Sequence, residues 1–429
     1  MKKILFYDII LIGEYRMKVH IESSKISYKL EKYLKPEFVY IPLENKNGVE
    51  YKHLVKNGDY VYKGQIVAIN PKLNFPIHSS VSGYAIIGSN KIINNGKEVK
   101  CVVIQNDFKE KYEKSRIKVK SNITKEEFIN MLKDSGITGL GGSDFPTFLK
   151  YNNENIKYLL VNGVECEPYI SCDKAVMYNY AEEILEAIDK VSEIMDITNT
   201  YIVVKKSSEK VLKALKKYIG TYPNIKLNLV DDIYPNGWER LVVKNTLGIT
   251  YDKYPTEKGI IISNVSTMDA IYEMLKYNRP LTERIITITG PGVTKKCNIK
   301  VKIGTLASEV ISSIGGYKNI KNPLFVVGGP MMGVSVPTDD VIITKDVNAI
   351  MVLNNSFEKK LPCITCGKCA EVCPVSLKPV LIMKTIDKEK KLKYLNPNKC
   401  IECGLCSYIC PSKIEVREFV KAAKKKVNK

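Results

Sequence analysis

Two short cysteine runs near the C-terminus restrict this chain more than any other feature. Cys363, Cys366, Cys369 and Cys373 precede Pro374, and Cys400, Cys403, Cys406 and Cys410 precede Pro411. Each run reads C-x2-C-x2-C-x3-C-P. Three thiolates so spaced, on a chain coiling round a cube, reach three iron corners, while the fourth opens the next helix and points elsewhere. The runs therefore predict two [4Fe–4S] clusters with crossed ligation. Cys363, Cys366, Cys369 and Cys410 hold one cluster, and Cys400, Cys403, Cys406 and Cys373 the other. Gly367 and Gly404 stand where the backbone must pass close to inorganic sulfur. Ile364, Val372, Ile401 and Ile409 supply an apolar shell that limits water and helps set the potential. Structural zinc asks for paired C-x2-C knuckles, not quartets that each end in Cys-Pro. In a cytosolic chain such crowding reads as metal ligation rather than disulfides.

The spacing is that of bacterial two-cluster ferredoxins. Between the runs, Leu377, Val380, Leu381, Met383 and Ile386 recur at helical spacing, which predicts one core-facing helix within 376–394. That insert makes the region similar to the helical dicluster domains of larger redox enzymes. The other four cysteines, Cys101, Cys166, Cys172 and Cys297, have no mutual ligand spacing and are expected as buried thiols.

The chain has 429 residues, room for two to four domains. Its net charge of +20 comes almost wholly from lysine. Nucleic-acid readers lean on arginine, and there is no zinc-finger or RNA-binding signature, so no nucleic-acid partner is expected. The excess is either a generic lysine-rich surface or a dock for an acidic redox partner or anionic membrane face. No run reaches the roughly 18 apolar residues of a membrane span. Ile4 to Ile12 is interrupted by Asp8, lacks a cleavage site and predicts a buried first strand rather than a signal peptide. The expected location is cytoplasmic, either soluble or peripheral on the cytoplasmic face of a membrane through partners.

Upstream lies a second constellation. A helix over Lys125 to Asp134 leads into Gly136, Gly139, Gly141 and Gly142, then Ser143, Asp144, Phe145, Pro146 and Lys150. Glycines so clustered let backbone N–H groups approach a ligand, though alone they are weak evidence for one. Tyr158 to Val161 reads as a strand ending in Asn162, Glu165, Cys166, Glu167 and Asp173, and strand ends in open α/β sheets are where ligands bind. The helix Ala181 to Met195, strand Thr200 to Lys205, helix Val211 to Ile219 and strand Ile225 to Val230 continue a parallel α/β alternation.

The pair GLGGSDFPTFLK and NGVECEPYISCD resembles the C subunit of Rnf-type electron transport complexes and, more distantly, the flavin-bearing subunit of respiratory complex I. Residues Tyr234 to Arg240, Leu281 to Ile288, Ile303 to Thr305 and Gly328 to Gly333 match further motifs, so the likeness covers nearly all of the chain after about Leu54. It implies a multidomain α/β protein: an N-terminal barrel-sandwich hybrid over 1–120, a Rossmann-like FMN domain over 121–257, a β-grasp (SLBB-like) domain over 258–340 and the two-cluster domain over 355–429. It implies an FMN held by Gly139, Gly141, Gly142, Phe145 and Lys150, with Asn162 and Asp173 at the strand end. Glu165 and Glu167 would shape the site where NADH meets the flavin. Electrons would pass between NADH and a ferredoxin- or flavodoxin-like carrier or membrane subunits, in either direction.

Two departures keep a rival reading open. Asp144 puts a carboxylate where a phosphate would be repelled, and Glu44 to Glu50 replaces the family's usual segment before the barrel. Both favour a divergent paralogue, a flavin-free iron–sulfur adaptor feeding an amino-acid or corrinoid reductase. The turn-rich stretch Val55 to Gly83 predicts barrel strands without a swinging-arm lysine. His78 is expected as a satisfied surface or interface histidine. Asp339 to Phe357 is expected to lead into the cluster domain, and Lys421 to Lys429 to be a solvated, frayed helix.

Overall fold

The computed structural model describes residues 26–32, 35–113, 122–355 and 359–427; the expected strand at Ile4 to Ile12 lies outside them. Residues 35–113 form two packed antiparallel sheets. One has the order 38–42, 98–106, 83–92, 60–61, the other 52–53, 66–70, 75–78. Phe38–Pro42 alternates half-buried and buried residues along its length, as a strand with one face on a core must. Val39, Ile41, Val61, Val67, Val102 and Ile104 close the space between the sheets.

The central unit is a four-stranded parallel sheet in the order 225–230, 199–205, 158–162, 260–264. Val161, Ile202, Val204 and Ile261 pack under the helices 125–134, 172–179, 181–194, 209–218 and 265–277. Thr124 starts the first helix with a reciprocal capping box to Glu127. The expected domain boundary at 257 is corrected here. Ile260–Asn264 pairs in parallel with Tyr158–Asn162, and Val265–Tyr277 covers it, so strand–helix alternation runs on to Tyr277.

The next sheet has the order 30–31, 297–302, 283–289, 349–354, 323–327, 334–336. Ala349–Asn354 lies between two partners, parallel to 283–289 and antiparallel to 323–327. The stretch expected to lead into the cluster domain thus ends in a central strand of this sheet, and its Ala349 to Val352 are all buried. A salt-bridge network joins this sheet to the barrel: Lys63 reaches Glu110 (2.8 Å) and Glu283 (2.9 Å), and fully buried Lys302 reaches Glu283 (3.0 Å).

The C-terminal unit is a set of short helices. The single helix expected over 376–394 is two, Pro379–Lys384 and Glu389–Tyr394. The break lets Ile382 and Leu392 both reach Val416, Val420 and Ala423, whereas Leu381 is 41% exposed. The basic tail is helix Val416–Val427, with that apolar stripe docked and Lys424 and Lys426 paired to Glu402 and Asp387. It is part of the packed unit rather than a solvated end.

Candidate functional site: a cleft at the sheet edge and two thiol cages

The four parallel strands end on one edge at Asn162, Lys205, Val230 and Asn264. From 158–162 the chain steps to one side for the next two strands, then returns to the other for 260–264. The crevice outside such a reversal is where open α/β sheets hold ligands. The glycine loop crosses it so closely that a Cβ on Gly141 would lie 3.2 Å from Asn264 Nδ2. A cleft of about 620 Å³ opens there. Gly139, Gly141, Gly142, Lys150, Asn162, Glu165, Glu167 and Asp173 all line it. Phe145 does not, and it is 39% exposed.

Each polar residue is held by its neighbours. Asn162 Nδ2 donates to Gly237 O (2.8 Å) and its Oδ1 accepts from Val164 N (3.0 Å). Asp173 accepts from Asn264 Nδ2 (2.7 Å) and Ser266 Oγ (2.9 Å), and burial raises its pKa. Glu165 accepts from the Cys172 thiol and the Asp173 N–H, both at 3.2 Å, at the start of helix 172–179. Burial and the Asp173 charge push its carboxyl up to about 7. Glu167 Oε2 accepts from Met331 N (3.2 Å) while Oε1 is buried without a partner. Burial pushes this carboxyl to about 7 as well. Lys150 Nζ reaches Glu239 Oε1 and Ile262 O, both at 3.2 Å.

Asp144 points neither into the cleft nor to solvent. It lies in the adjoining pocket with Thr138, Lys345 and Asp346. Burial and the Asp346 charge raise its pKa to about 6 against the pull of Lys345 and Lys46. The objection that a carboxylate would face a bound phosphate is thereby removed. His78 is in the same pocket, buried rather than on the surface, and its Nδ1 has no partner. Sequence reasoning missed Lys46, Asn264, Arg284 and Lys345. Asn264 carried a signal, a strand-end asparagine that caps a helix; the cations carried none, because their reach is set by how the units dock.

The cysteines gather as two cages. Cys363, Cys366, Cys369 and Cys410 surround one small cavity, and Cys373, Cys400, Cys403 and Cys406 another. Thr365 and Gly367 repeat the positive φ of Glu402 and Gly404 at matching positions, so the loops coil alike. Backbone N–H groups of Leu377 and Glu402 donate to Cys373 and Cys400 sulfurs, both at 3.3 Å. Four convergent thiols with N–H donors fit a [4Fe–4S] cube. The cages are not equivalent. The second abuts the cleft wall: Tyr234 Oη donates to Cys403 O (2.6 Å), Arg417 donates to Met331 O (2.6 Å), and Met331, Ile401, Cys403 and Leu405 pack together. The first faces outward, with Cys366 exposed and Ile364 67% exposed. The cleft fits a flavin nucleotide by its size and by the buried, unpartnered Thr147 Oγ1 and Glu167 Oε1 in its lining.

Family models agree with this layout. A Nuo51 FMN-binding domain matches residues 132–273, an RnfC barrel sandwich hybrid domain 14–109, and a 4Fe-4S dicluster domain 362–414. The chain is 31% identical over 360 residues to the C subunit of the ion-translocating oxidoreductase complex of Rhodobacter capsulatus, covering 80% of this chain and 69% of that one. It is 31% identical to the same-named protein of Vibrio cholerae, again over 80% of this chain but 46% of that one. Among solved structures, an NAD+-reducing [NiFe]-hydrogenase in the air-oxidized state shares the fold at 12% identity, with a TM-score of 0.50 over 71% of this chain and 66% of that chain. With a barrel sandwich, an FMN-binding domain and a dicluster domain in this order, the chain belongs to the family of C subunits of ion-translocating oxidoreductase complexes, flavin and iron–sulfur electron-transfer proteins.

Proposed function

We propose that this chain moves electrons between NADH at the cleft and a one-electron partner at the outward cage, through the cage of Cys373, Cys400, Cys403 and Cys406 first and that of Cys363, Cys366, Cys369 and Cys410 second. The observation that carries this order is the shared wall. Tyr234 and Met331 stand beside the cleft and also touch the loop bearing Cys403, whereas the other cage opens to solvent. A flavin exchanges a hydride as two electrons with a nicotinamide and single electrons with iron–sulfur clusters.

The residues then have separate tasks. The glycine loop and Lys150 bind, Asp173 holds Asn264 in place, and Asn162 shapes the strand-end turn. Glu165 and Glu167, both near 7, hold a proton at the cleft floor around neutral pH. Glu167 also positions the Met331 loop against the inner cage. The outward cage carries Leu361, Ile364 and Leu381 exposed, with Lys384 bonded to Thr365 beside it and Lys368 in its wall. An apolar tip among lysines suits an acidic ferredoxin- or flavodoxin-like carrier or a membrane subunit. The names of the relatives support membership of an ion-translocating complex, with this chain peripheral on the cytoplasmic face. No described helix is long and apolar enough to cross a membrane.

The test is anaerobic purification with iron and acid-extracted flavin quantified together. About eight irons per chain with one FMN, bleached by NADH, is the expected result. Iron without flavin would replace this reading with the adaptor.

A further inference from the structure

Three cations from other units of the chain donate to carbonyls of the glycine-loop segment, and one of them, Lys46, also lines the cleft. Lys46, from the barrel, donates to Gly142 O (2.6 Å). Arg284, on strand 283–289, donates to Leu140 O (3.1 Å). Lys345, just before strand 349–354, donates to Gly136 O (2.7 Å). Arg284 and Lys345 are buried, and Arg284 also bonds the Lys345 carbonyl. Asp346 and Asp144 supply counter-charge: Lys46 pairs with Asp346 at 2.8 Å, and Asp144 faces both lysines. The loop's N–H groups fare differently. Leu140 N bonds Thr267 Oγ1 (3.0 Å), but among the described residues no acceptor meets the N–H of Gly141, Gly142 or Ser143, all of which line the cleft.

A peptide group whose carbonyl is bound by a cation has that end fixed, and the dipole leaves its N–H end as the free, positive one. The Leu140 and Gly142 carbonyls, tied by Arg284 and Lys46, therefore orient the free N–H groups of Gly141 and Ser143 as a nest for an anion, whereas the peptide that Lys345 holds has its N–H, that of Ile137, bonded to Leu132 O. Neutral loops of the same glycine content have no such bias, since a glycine peptide flips at little steric cost.

We propose that Lys46 and Arg284 are positioning residues that set the polarity of the glycine loop, so that its free N–H groups select the phosphate of flavin mononucleotide over an uncharged flavin. This rests on the flavin reading of the cleft. It gives the barrel and the third sheet a part in cofactor recognition, and it gives Asp144 a place as counter-ion to the clamp.

Lys46 is the residue to change, because it is partly exposed and its loss leaves the buried pair in place. The experiment measures FMN and riboflavin affinities of full-length flavin-depleted protein by fluorescence quenching, for wild type, Lys46→Met and Lys46→Arg, with melting temperature and iron content followed in parallel. Lys46→Met is expected to weaken FMN about tenfold, the size of one charge-assisted hydrogen bond, and to leave riboflavin within about twofold. Lys46→Arg is expected to restore FMN. Equal loss of both flavins, loss of neither, or a folded Lys46→Arg that fails to restore FMN would overturn the proposal. A wild type that binds neither flavin would overturn the flavin reading and this proposal with it, whereas a wild type that binds FMN separates the two.

Discussion

Gly329 shows how narrowly single atoms are placed beside the cleft. A Cβ there would lie 2.1 Å from Glu167 Oε2, the oxygen that accepts the Met331 N–H. Gly329→Ala must push either Glu167 or the loop of 328–333 aside. The expected cost is about 1–3 kcal/mol by denaturant unfolding, with slower passage of electrons from flavin to cluster in stopped-flow spectra. Gly220, where an added Cβ meets nothing within 4 Å, is the control and should change stability by less than about 0.5 kcal/mol. An unchanged transfer rate in a folded Gly329→Ala would separate Glu167 from the electron route. The glycine cluster and the strand-end acids were legible in the sequence because backbone approach and polar strand ends each leave a local trace. What Glu167 touches was not, since Met331 is far along the chain.

The loop of 231–238 and the second cysteine loop meet through the Tyr234 hydroxyl and the Cys403 carbonyl. Tyr234→Phe removes one donor at a buried contact and should cost about 1 kcal/mol. It should also shift the electron paramagnetic resonance signal of the inner cluster while leaving the outer one unchanged, because only the Cys403 loop loses a partner. A shift in both signals, or in neither, would show that this contact does not set the inner environment. The helices between the cysteine runs carry a lesson about period. Leu377, Val380 and Ile386 suggested one helix, but the chain breaks between Lys384 and Glu389, and Ile382 and Leu392, on separate helices, share one cluster with Val416, Val420 and Ala423.

Two outcomes belong to the whole molecule. Cys410→Ser should remove the outer cluster and Cys373→Ser the inner one, each roughly halving iron, because the quartets cross. With NADH, Cys410→Ser should still pass electrons into the inner cluster, whereas Cys373→Ser should leave the flavin reduced and the outer cluster oxidised. Identical behaviour of the two variants would break the proposed order. The network of Lys63, Glu110, Glu283 and Lys302 ties barrel to sheet. The Lys302, Lys63 and Lys300 charges lower the Glu283 pKa from 4.5 to about 2 despite burial. A depressed folded pKa gives stability that is whole above pH 4.5 and drains away as pH falls toward 2. Glu283→Gln should therefore be destabilised by about 3–5 kcal/mol at neutral pH and should lose less stability than wild type between pH 4.5 and 2. Parallel acid curves would show the network contributes nothing to docking.

The cluster domain was readable residue by residue, because ligation of a cube imposes spacing on the chain itself; the cysteines, their crossed grouping and the two glycines needed no neighbours to be found. The α/β alternation and the glycine loop were readable for the same reason, as periodicity and punctuation are local. Only the tertiary structure decided which cage adjoins the cleft, that strand 260–264 completes the sheet, that Asp144 turns away from the ligand side, and that Lys46, Arg284 and Lys345 bond carbonyls of the loop segment. Those facts depend on contacts between residues far apart in sequence, where the chain's own spacing exerts no constraint and the packing of whole units does.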